Sequence, residues 1–318
     1  MAALPRLTIG LPVFNGEDLL CESIDALLGQ SYEEFELLIS DNASTDSTQD
    51  ICQDYAKQDS RVRYIRQPHN IGLQPNENFV MRQGRTELFK LAAHDDLYAR
   101  DLIKRCIEAL DEHPEVVVAH AWEARIDGAG KLTEALSYSV AADARRAPDR
   151  FRSMLFDGWD DYTYGVMRSE VLRRAHLLGS HHFSDRTFNT ELNLHGPFYL
   201  VPEWMYFRRE HPERTEPYTI RTRAAYMNYR RVSRLNPAVR LYGEYIWAYV
   251  TAIRSAPMSA AEKRECFGHL AAWLSTRMLP VVDRTLRRKS VEDTVALVPE
   301  LPDVSVDEVV AGRTRKVA

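Results

Sequence analysis

Two adjacent acids, Asp95 and Asp96, follow the apolar run Leu91-Ala92-Ala93 and precede a segment with helical spacing. Paired carboxylates at a strand end suit a hard divalent cation, which takes oxygen ligands and can bridge to phosphate oxygens. Taken alone, the pair fits a helix cap equally well. Two further polar clusters share the same context. Asn15 to Glu17 follows Leu7–Phe14, and Asp41 to Asp46 follows Phe35–Ile39. Three apolar runs that each end in acids and amides are a better signal than any one of them.

These residues need elements to position them. Leu7–Leu11, Phe35–Ile39, Val62–Ile65 and Glu87–Ala93 read as strands. Between them lie helical patterns carrying Leu20, Ile24, Leu27 and Leu28, then Ile51 and Tyr55, then Phe79. Asn15 is positioned to cap the first helix. After Asp96, the residues Leu102, Ile103, Cys106, Ile107 and Leu110 repeat at helical spacing. Strand alternating with helix predicts an α/β fold with a mostly parallel sheet flanked by helices. In such sheets ligands sit beyond the carboxyl ends of the strands, where the three clusters fall.

The second half is predicted to hold a strand over Val116–Ile126, a helix near Phe151–Phe156 and a strand-like Tyr162–Met167. A helix over Asp185–His195 and short strands at Phe198–Val201 and Trp204–Arg208 follow. Asn236-Pro237 starts a helix with an aromatic stripe of Tyr242, Tyr245 and Tyr249 expected in the core. Ser259-x-x-Glu262 matches a capping box. The expected organisation is residues 1–215 as one α/β domain, divided near 125/126, and residues 216–318 as a helical C-terminal extension. That extension suits homodimer contacts.

The 318 residues carry 45% hydrophobic and 27% charged side chains and a net charge of -5, which gives no general attraction for nucleic acid. No window has the length and apolarity of a membrane span and no leader peptide is evident, so no integral membrane segment is expected. The four cysteines show no metal-type spacing; buried free thiols in the cytoplasm are the expectation, with peripheral membrane association left open.

The stretches "LPVFNGEDLLCESIDALLGQSYEEFELLISDNASTDST", "HNIG" and "LAAHDDLY", in this order, resemble the nucleotide-binding half of family 2 glycosyltransferases with the Rossmann-like GT-A fold. The resemblance covers about residues 5–125 and extends more loosely to His211. It implies that Pro12, Phe14 and Asn15 line the nucleoside end and that Glu17 lies beside the ribose or diphosphate. Asp41 would accept a hydrogen bond from a pyrimidine N–H, with Asn42 and Ser44 shaping that loop. Asn70 and Gly72 would belong to the loop covering the nucleotide. Asp95 would contact ribose or sugar hydroxyls, while Asp96 and His211 would bind the metal, Mn2+ or Mg2+. The family pattern often has an acid two positions before Asp95, where this chain has Ala93. Asp185, in "HHFSDRTFNTELNLHGPF", matches the acid that serves as base, with Ser184 at a frequently acidic position and Glu191 as the fallback.

The expected activity is inverting transfer of a sugar from a nucleotide-sugar, a UDP-sugar by resemblance, to an acceptor hydroxyl of a glycan, lipid-linked glycan or small molecule. Two alternatives stand beside it: a non-catalytic nucleotide-sugar-binding protein and a sugar-1-phosphate nucleotidyltransferase. The latter lacks its Gly-rich basic loop, since "PVFNGEDLL" has one glycine and two acids.

Overall fold

A computed structural model describes residues 4–136, 138, 140–157, 162–181, 183–210, 237–278 and 306–311. His211 lies outside the described residues.

The chain begins with the predicted alternation: β1 (Leu7–Val13), α1 (Leu20–Leu28), β2 (Phe35–Asp41), α2 (Thr48–Gln58), β3 (Val62–Arg66), α3 (Leu73–Gln83) and β4 (Leu88–Leu91). A two-residue strand, β5 (Leu97–Tyr98), comes directly after the paired acids, followed by α4 (Leu102–Glu112). The second half adds β6 (Val118–Ile126), β7 (Leu132–Ala135), α5 (Ala147–Phe156), β8 (Val166–Arg168), α6 (Ser169–Arg174), α7 (Ser184–His195) and β9 (Phe198–Arg209). Two long helices, α8 (Pro237–Ser255) and α9 (Ala260–Met278), and a short α10 (Val306–Val310) complete the described chain.

The nine strands of the described residues form one sheet in the order β3-β2-β1-β4-β8-β6-β9-β5, with β7 paired to β6. β1 runs parallel to β2 and β4, and β2 to β3. β8 is antiparallel to both β4 and β6, whereas β6 and β9 are parallel. β1 is buried along its whole length, as expected of a central strand covered on both faces. Its Gly10 admits the opposing layer: a Cβ there would lie 2.8 Å from Phe89 Cζ and Val80 Cγ2.

Several expectations are refined. The two short strands expected around Val201 and Trp204 are one strand, β9, whose pairing with β6 shifts register around Trp122. Asn15 does not cap α1, which starts at Leu20 without a side-chain cap; its own backbone is left-handed instead. Cys21 is exposed, while the other three cysteines are buried free thiols. Tyr245 and Tyr249 are core residues, but Tyr242 points outward. The capping box holds, with Ser259 N–H donating to Glu262 Oε2 at 2.9 Å and Glu262 N–H to Ser259 Oγ at 3.3 Å. Among the described residues, no helix is long and apolar enough to cross a membrane.

Three cores organise the packing. One lies between the sheet and α1, α2 and α4, and a second lies on the other face with α3, α5 and α7. The third joins Phe151 and Leu155 of α5 and Leu194 of α7 to Tyr245, Tyr249 and Ile253 of α8 and Cys266, Leu270 and Trp273 of α9. The C-terminal hairpin therefore shares its core with the helix that carries Asp185. Phe151 is buried with its ring centroid 6.0 Å from that of Tyr249. Phe151→Ala is expected to lower unfolding stability by about 3–5 kcal/mol through a cavity. Amide exchange should then quicken in α8 and α9 together with α5. Loss of protection in α5 alone would show that the hairpin folds independently.

Candidate functional site

The loops after β1 and β2 are laced together at the carboxyl end of the sheet. Asn15 N–H donates to Ser44 Oγ at 2.9 Å and Gly16 N–H to Thr48 Oγ1 at 2.8 Å. In return, Thr45 N–H donates to Asn15 Oδ1 at 2.9 Å. Glu17 bonds the second loop in both directions: its N–H donates to Asp46 Oδ2 at 3.2 Å, and its Oε2 accepts from Ser47 N–H at 3.0 Å. Pro12 lies in register with Ser40 just inside this rim. Phe14 is 42% exposed, so it is not a core residue but an aromatic surface at the strand end.

Asn42 joins the third loop to the other two. Its Nδ2 donates to Asn70 Oδ1 at 3.1 Å and to Gly72 O at 3.2 Å, while its Oδ1 accepts from Ile71 N–H at 2.8 Å. Asn70 Oδ1 also accepts from Gly72 N–H at 2.9 Å. Gly72 has φ of 95°, a left-handed value that favours glycine.

Asp41 is fully buried. Its Oδ1 accepts from Ser44 N–H at 2.8 Å, and its Oδ2 accepts from Tyr64 OH at 2.9 Å and from the Arg66 guanidinium. Tyr64 and Arg66, both on β3, escaped the sequence reading. Their one sequence signal is that a run ending a parallel strand, "VRYIR", finishes in a cation.

Asp95 and Asp96 are also buried. Asp96 does not cap α4, whose N-cap position is Asp101. Instead Asp96 Oδ2 accepts from Tyr206 OH and its Oδ1 from Arg209 N–H at 2.9 Å. Arg209 turns inward: its guanidinium donates to Asp95 O at 2.9 Å, Gly128 O at 2.8 Å and Glu22 Oε2 at 2.7 Å. At Ala93, where the family pattern often has an acid, the backbone N and O both bond Tyr98 OH at 2.9 Å. His94 packs on the first loop, since a Cβ on Gly16 would lie 2.8 Å from its Cδ2. Beneath them Lys90 is buried, donates to Tyr164 O and lies 5.2 Å and 5.5 Å from the ring centroids of Tyr98 and Tyr206.

Burial, and after it the charge of Asp95, push the Asp96 carboxyl up to about 6. Burial likewise brings the Lys90 ammonium down to about 8. No group of three or more metal-ligating side chains occurs among the described residues. A cation held by one or two carboxylates and completed by diphosphate oxygens and water requires no such group. Each Asp96 oxygen accepts one of these protein bonds, and each has a second lone pair. The pair Asp95–Asp96 therefore fits a diphosphate-bound cation.

Asp185 lies in the first turn of α7, half-buried, with Arg186 N–H donating to its Oδ1 at 2.8 Å. The Arg186 guanidinium donates to the carbonyls of Met154 at 2.6 Å and Leu155 at 3.0 Å. Asn78 on α3 clamps the chain ahead of α7 by donating to Leu178 O at 2.7 Å and accepting from Leu178 N–H at 2.9 Å. Glu191 is enclosed, with Oε2 taking His176 N–H at 2.9 Å and Oε1 lying 2.7 Å from His176 Nδ1. Those bonds make Glu191 an anchor for the α6–α7 connection. Among the described residues, three non-glycine residues have positive φ: Asn15 at 50°, Ala43 at 61° and Phe183 at 58°. Two lie in the laced loops and the third is two residues before Asp185. Such strain collects where the surrounding structure over-determines the backbone, often at functional sites.

The family model described as "Glycosyl transferase family 2" matches residues 8–175. The Streptococcus pneumoniae glycosyltransferase GlyG is 23% identical over 212 residues, 63% of this chain and 67% of that protein. A Sinorhizobium fredii protein, y4gI, is 29% identical over 154 residues, 48% of this chain but only 16% of its own length. The chain thus spans a small part of one curated relative and about two thirds of the other. Among solved structures, S. aureus TarS 1-349 in complex with UDP-GlcNAc superposes with a TM-score of 0.64 at 16% identity, covering 90% of this chain and 78% of that one. That likeness bears out the GT-A reading of the fold.

The raised Asp96 carboxyl has a stability consequence with a definite sign. Between about pH 4, where the unfolded side chain titrates, and about pH 6, the folded protein binds more protons than the unfolded one. Stability of the metal-free protein should therefore fall as pH rises through that window. Urea unfolding of Asp96→Asn should lack this segment of the slope. An identical slope in the variant would assign it to another group.

Proposed function

Because this chain belongs to glycosyl transferase family 2, we propose that it transfers a sugar from a UDP-sugar to an acceptor hydroxyl with inversion, in one displacement. The observation that carries the reading is the convergence of three hydrogen-bonded loops and the buried Asp95–Asp96 pair at one end of the sheet.

In this reading the nucleoside lies along Pro12, Phe14 and Asn15, and the Phe14 face stacks on the base. Base–aromatic stacking is worth about 1–3 kcal/mol. Asp41 stands behind the base edge, its loop held by Ser44 and Asn42, and Asn70 with Gly72 covers the nucleotide. Glu17 lies near the ribose or diphosphate, and Asp95 meets ribose or sugar hydroxyls. Asp96, together with His211, would hold the divalent ion, Mn2+ or Mg2+, whose chemistry is neutralisation of the departing diphosphate.

Asp185 is the proposed general base. Its place in the first turn of α7 puts the positive end of the helix dipole beside the carboxylate, which favours the ionised form needed to accept a proton. It takes the proton from the acceptor hydroxyl while that oxygen attacks the anomeric carbon opposite the leaving UDP. The α8–α9 hairpin shares a core with α7 and so braces that helix. The acceptor is a hydroxyl-bearing glycan, lipid-linked glycan or small molecule.

The test is Asp185→Asn, which preserves size and removes the proton acceptor. Transfer should fall by about 10²- to 10⁴-fold, while UDP affinity and melting temperature stay near wild type. Turnover close to wild type would reject Asp185 as base. Removing divalent cations with EDTA should abolish transfer and restored Mn2+ should return it; activity that ignores EDTA would reject the metal-assisted part.

A further inference from the structure

At the start of α7 one residue goes against every local preference. Phe183 occupies the N-cap position, where a short polar side chain ordinarily bonds the helix, and it supplies no side-chain cap. Its φ of 58° is a conformation that a bulky side chain rarely adopts. Its side chain is 38% exposed, although it is large and apolar. Asparagine would answer all three demands, since it caps, tolerates positive φ and is at ease in water. A residue that satisfies none of them is a pointer to function.

The surroundings hold the ring in place. Ser184, next in the chain, is buried. Tyr245 of α8 is buried too, with its ring centroid 6.2 Å from that of Phe183 and 5.7 Å from that of the buried His181. Tyr245 OH lies 3.0 Å from Tyr249 OH, one turn further along α8. Phe183 is thus the exposed member of an aromatic group that joins the start of α7 to α8, two residues ahead of Asp185.

We propose that Phe183 is a specificity-determining residue for the acceptor, a platform on which a pyranose ring stacks so that its hydroxyl meets Asp185. This rests on the glycosyl-transfer reading above and narrows its acceptor to a sugar in ring form. A pyranose gathers axial C–H groups on a face. Those hydrogens are weakly positive, and the face of an aromatic ring is negative. An open-chain polyol offers hydroxyls but no such face. A stacked ring also has its orientation fixed before reaction, which lowers the entropic part of the barrier. A constrained backbone suits that task, because a platform free to turn would lose the orientation.

Saturation-transfer NMR with UDP and Mg2+ present tests this, since it reads which protons of a weak ligand touch the protein. The probes are methyl β-D-glucopyranoside, methyl β-D-galactopyranoside and methyl N-acetyl-β-D-glucosaminide, with ribitol as the open-chain control. Wild type should saturate the protons on one face of at least one glycoside and leave ribitol unsaturated. In Phe183→Asn, which tolerates the left-handed backbone, melting temperature and UDP affinity should stay at the wild-type level. Its glycoside affinity should fall by about tenfold, the scale of one lost aromatic contact. Phe183→Tyr keeps the ring and should keep the signal. Phe183→Leu keeps apolar bulk without an aromatic face, and it takes the place of the asparagine variant if that one does not fold. A folded Phe183→Asn or Phe183→Leu protein with wild-type glycoside affinity overturns the proposal. So does a wild type that binds none of the glycosides, or binds ribitol equally well, while still binding UDP. Wild type that does not bind UDP at all would reject the nucleotide-sugar reading itself.

Discussion

An enclosed carboxylate must be met by donors, and this requirement ties the molecule together at the carboxyl end of its sheet. Asp96 is satisfied by Tyr206 and Arg209, both on β9 and more than a hundred residues away in sequence. The Arg209 guanidinium then reaches Asp95, Gly128 and Glu22, so that one side chain bonds three segments of the chain. Asp41 recruits β3 in the same manner through Tyr64 and Arg66. Asp95 and Asp96 are consequently points at which the second half of the chain is fixed to the first, while Asp41 ties β3 to β2 within the first half. A surface ion pair would contribute little to such an assembly; an enclosed one is expensive to break because its partner is left uncompensated.

The same requirement explains the backbone. Asn15 and Ala43 hold left-handed conformations because the loops after β1 and β2 exchange hydrogen bonds in both directions, which leaves little freedom in the turns. A bulky residue at positive φ, such as Phe183, is rarer still. It precedes a helix that is clamped on one side by Asn78 and Leu178 and packed on the other against α8. Rigidity at these three positions agrees with a site formed before its ligand arrives, where a diphosphate meets groups already in place.

Much of the first half was legible in the sequence. Short apolar runs between turn residues give β1 to β4, and helical spacing gives α1, α2 and α4, because each pattern reflects local periodicity. The clustering of Asn15, Asp41 and Asp95 at the strand ends follows from the parallel topology alone. What periodicity could not show were the partners of the acids. Tyr206 and Arg209 are neighbours of Asp96 only through the sheet, and Arg66 reaches Asp41 only through strand register. The tiny β5 was missed because two residues carry no period. The merger of two expected strands into β9 was missed because its register shift keeps residues such as Glu203 and Trp204 from a simple alternation. Asn15 was misread as a cap because its side-chain oxygen, suited to a helix N-terminus, serves the neighbouring loop instead.

The lysine beneath the paired acids completes the electrostatic logic. Lys90 is enclosed on β4, over the rings of Tyr98 and Tyr206, and it contributes a positive charge to a region that also holds Asp95, Asp96 and Glu123. Two enclosed carboxylates in sequence repel one another, and burial adds to that penalty. A buried cation and the inward Arg209 offset part of it, but the raised Asp96 carboxyl indicates that they do not offset all of it. A site left with this residual excess of negative charge favours a cation, and a bound cation in turn favours an anionic diphosphate. The enclosed acids therefore serve two ends with one arrangement: they fix β9 to the first half of the chain, and they leave the strand ends charged in the sense that the proposed function requires.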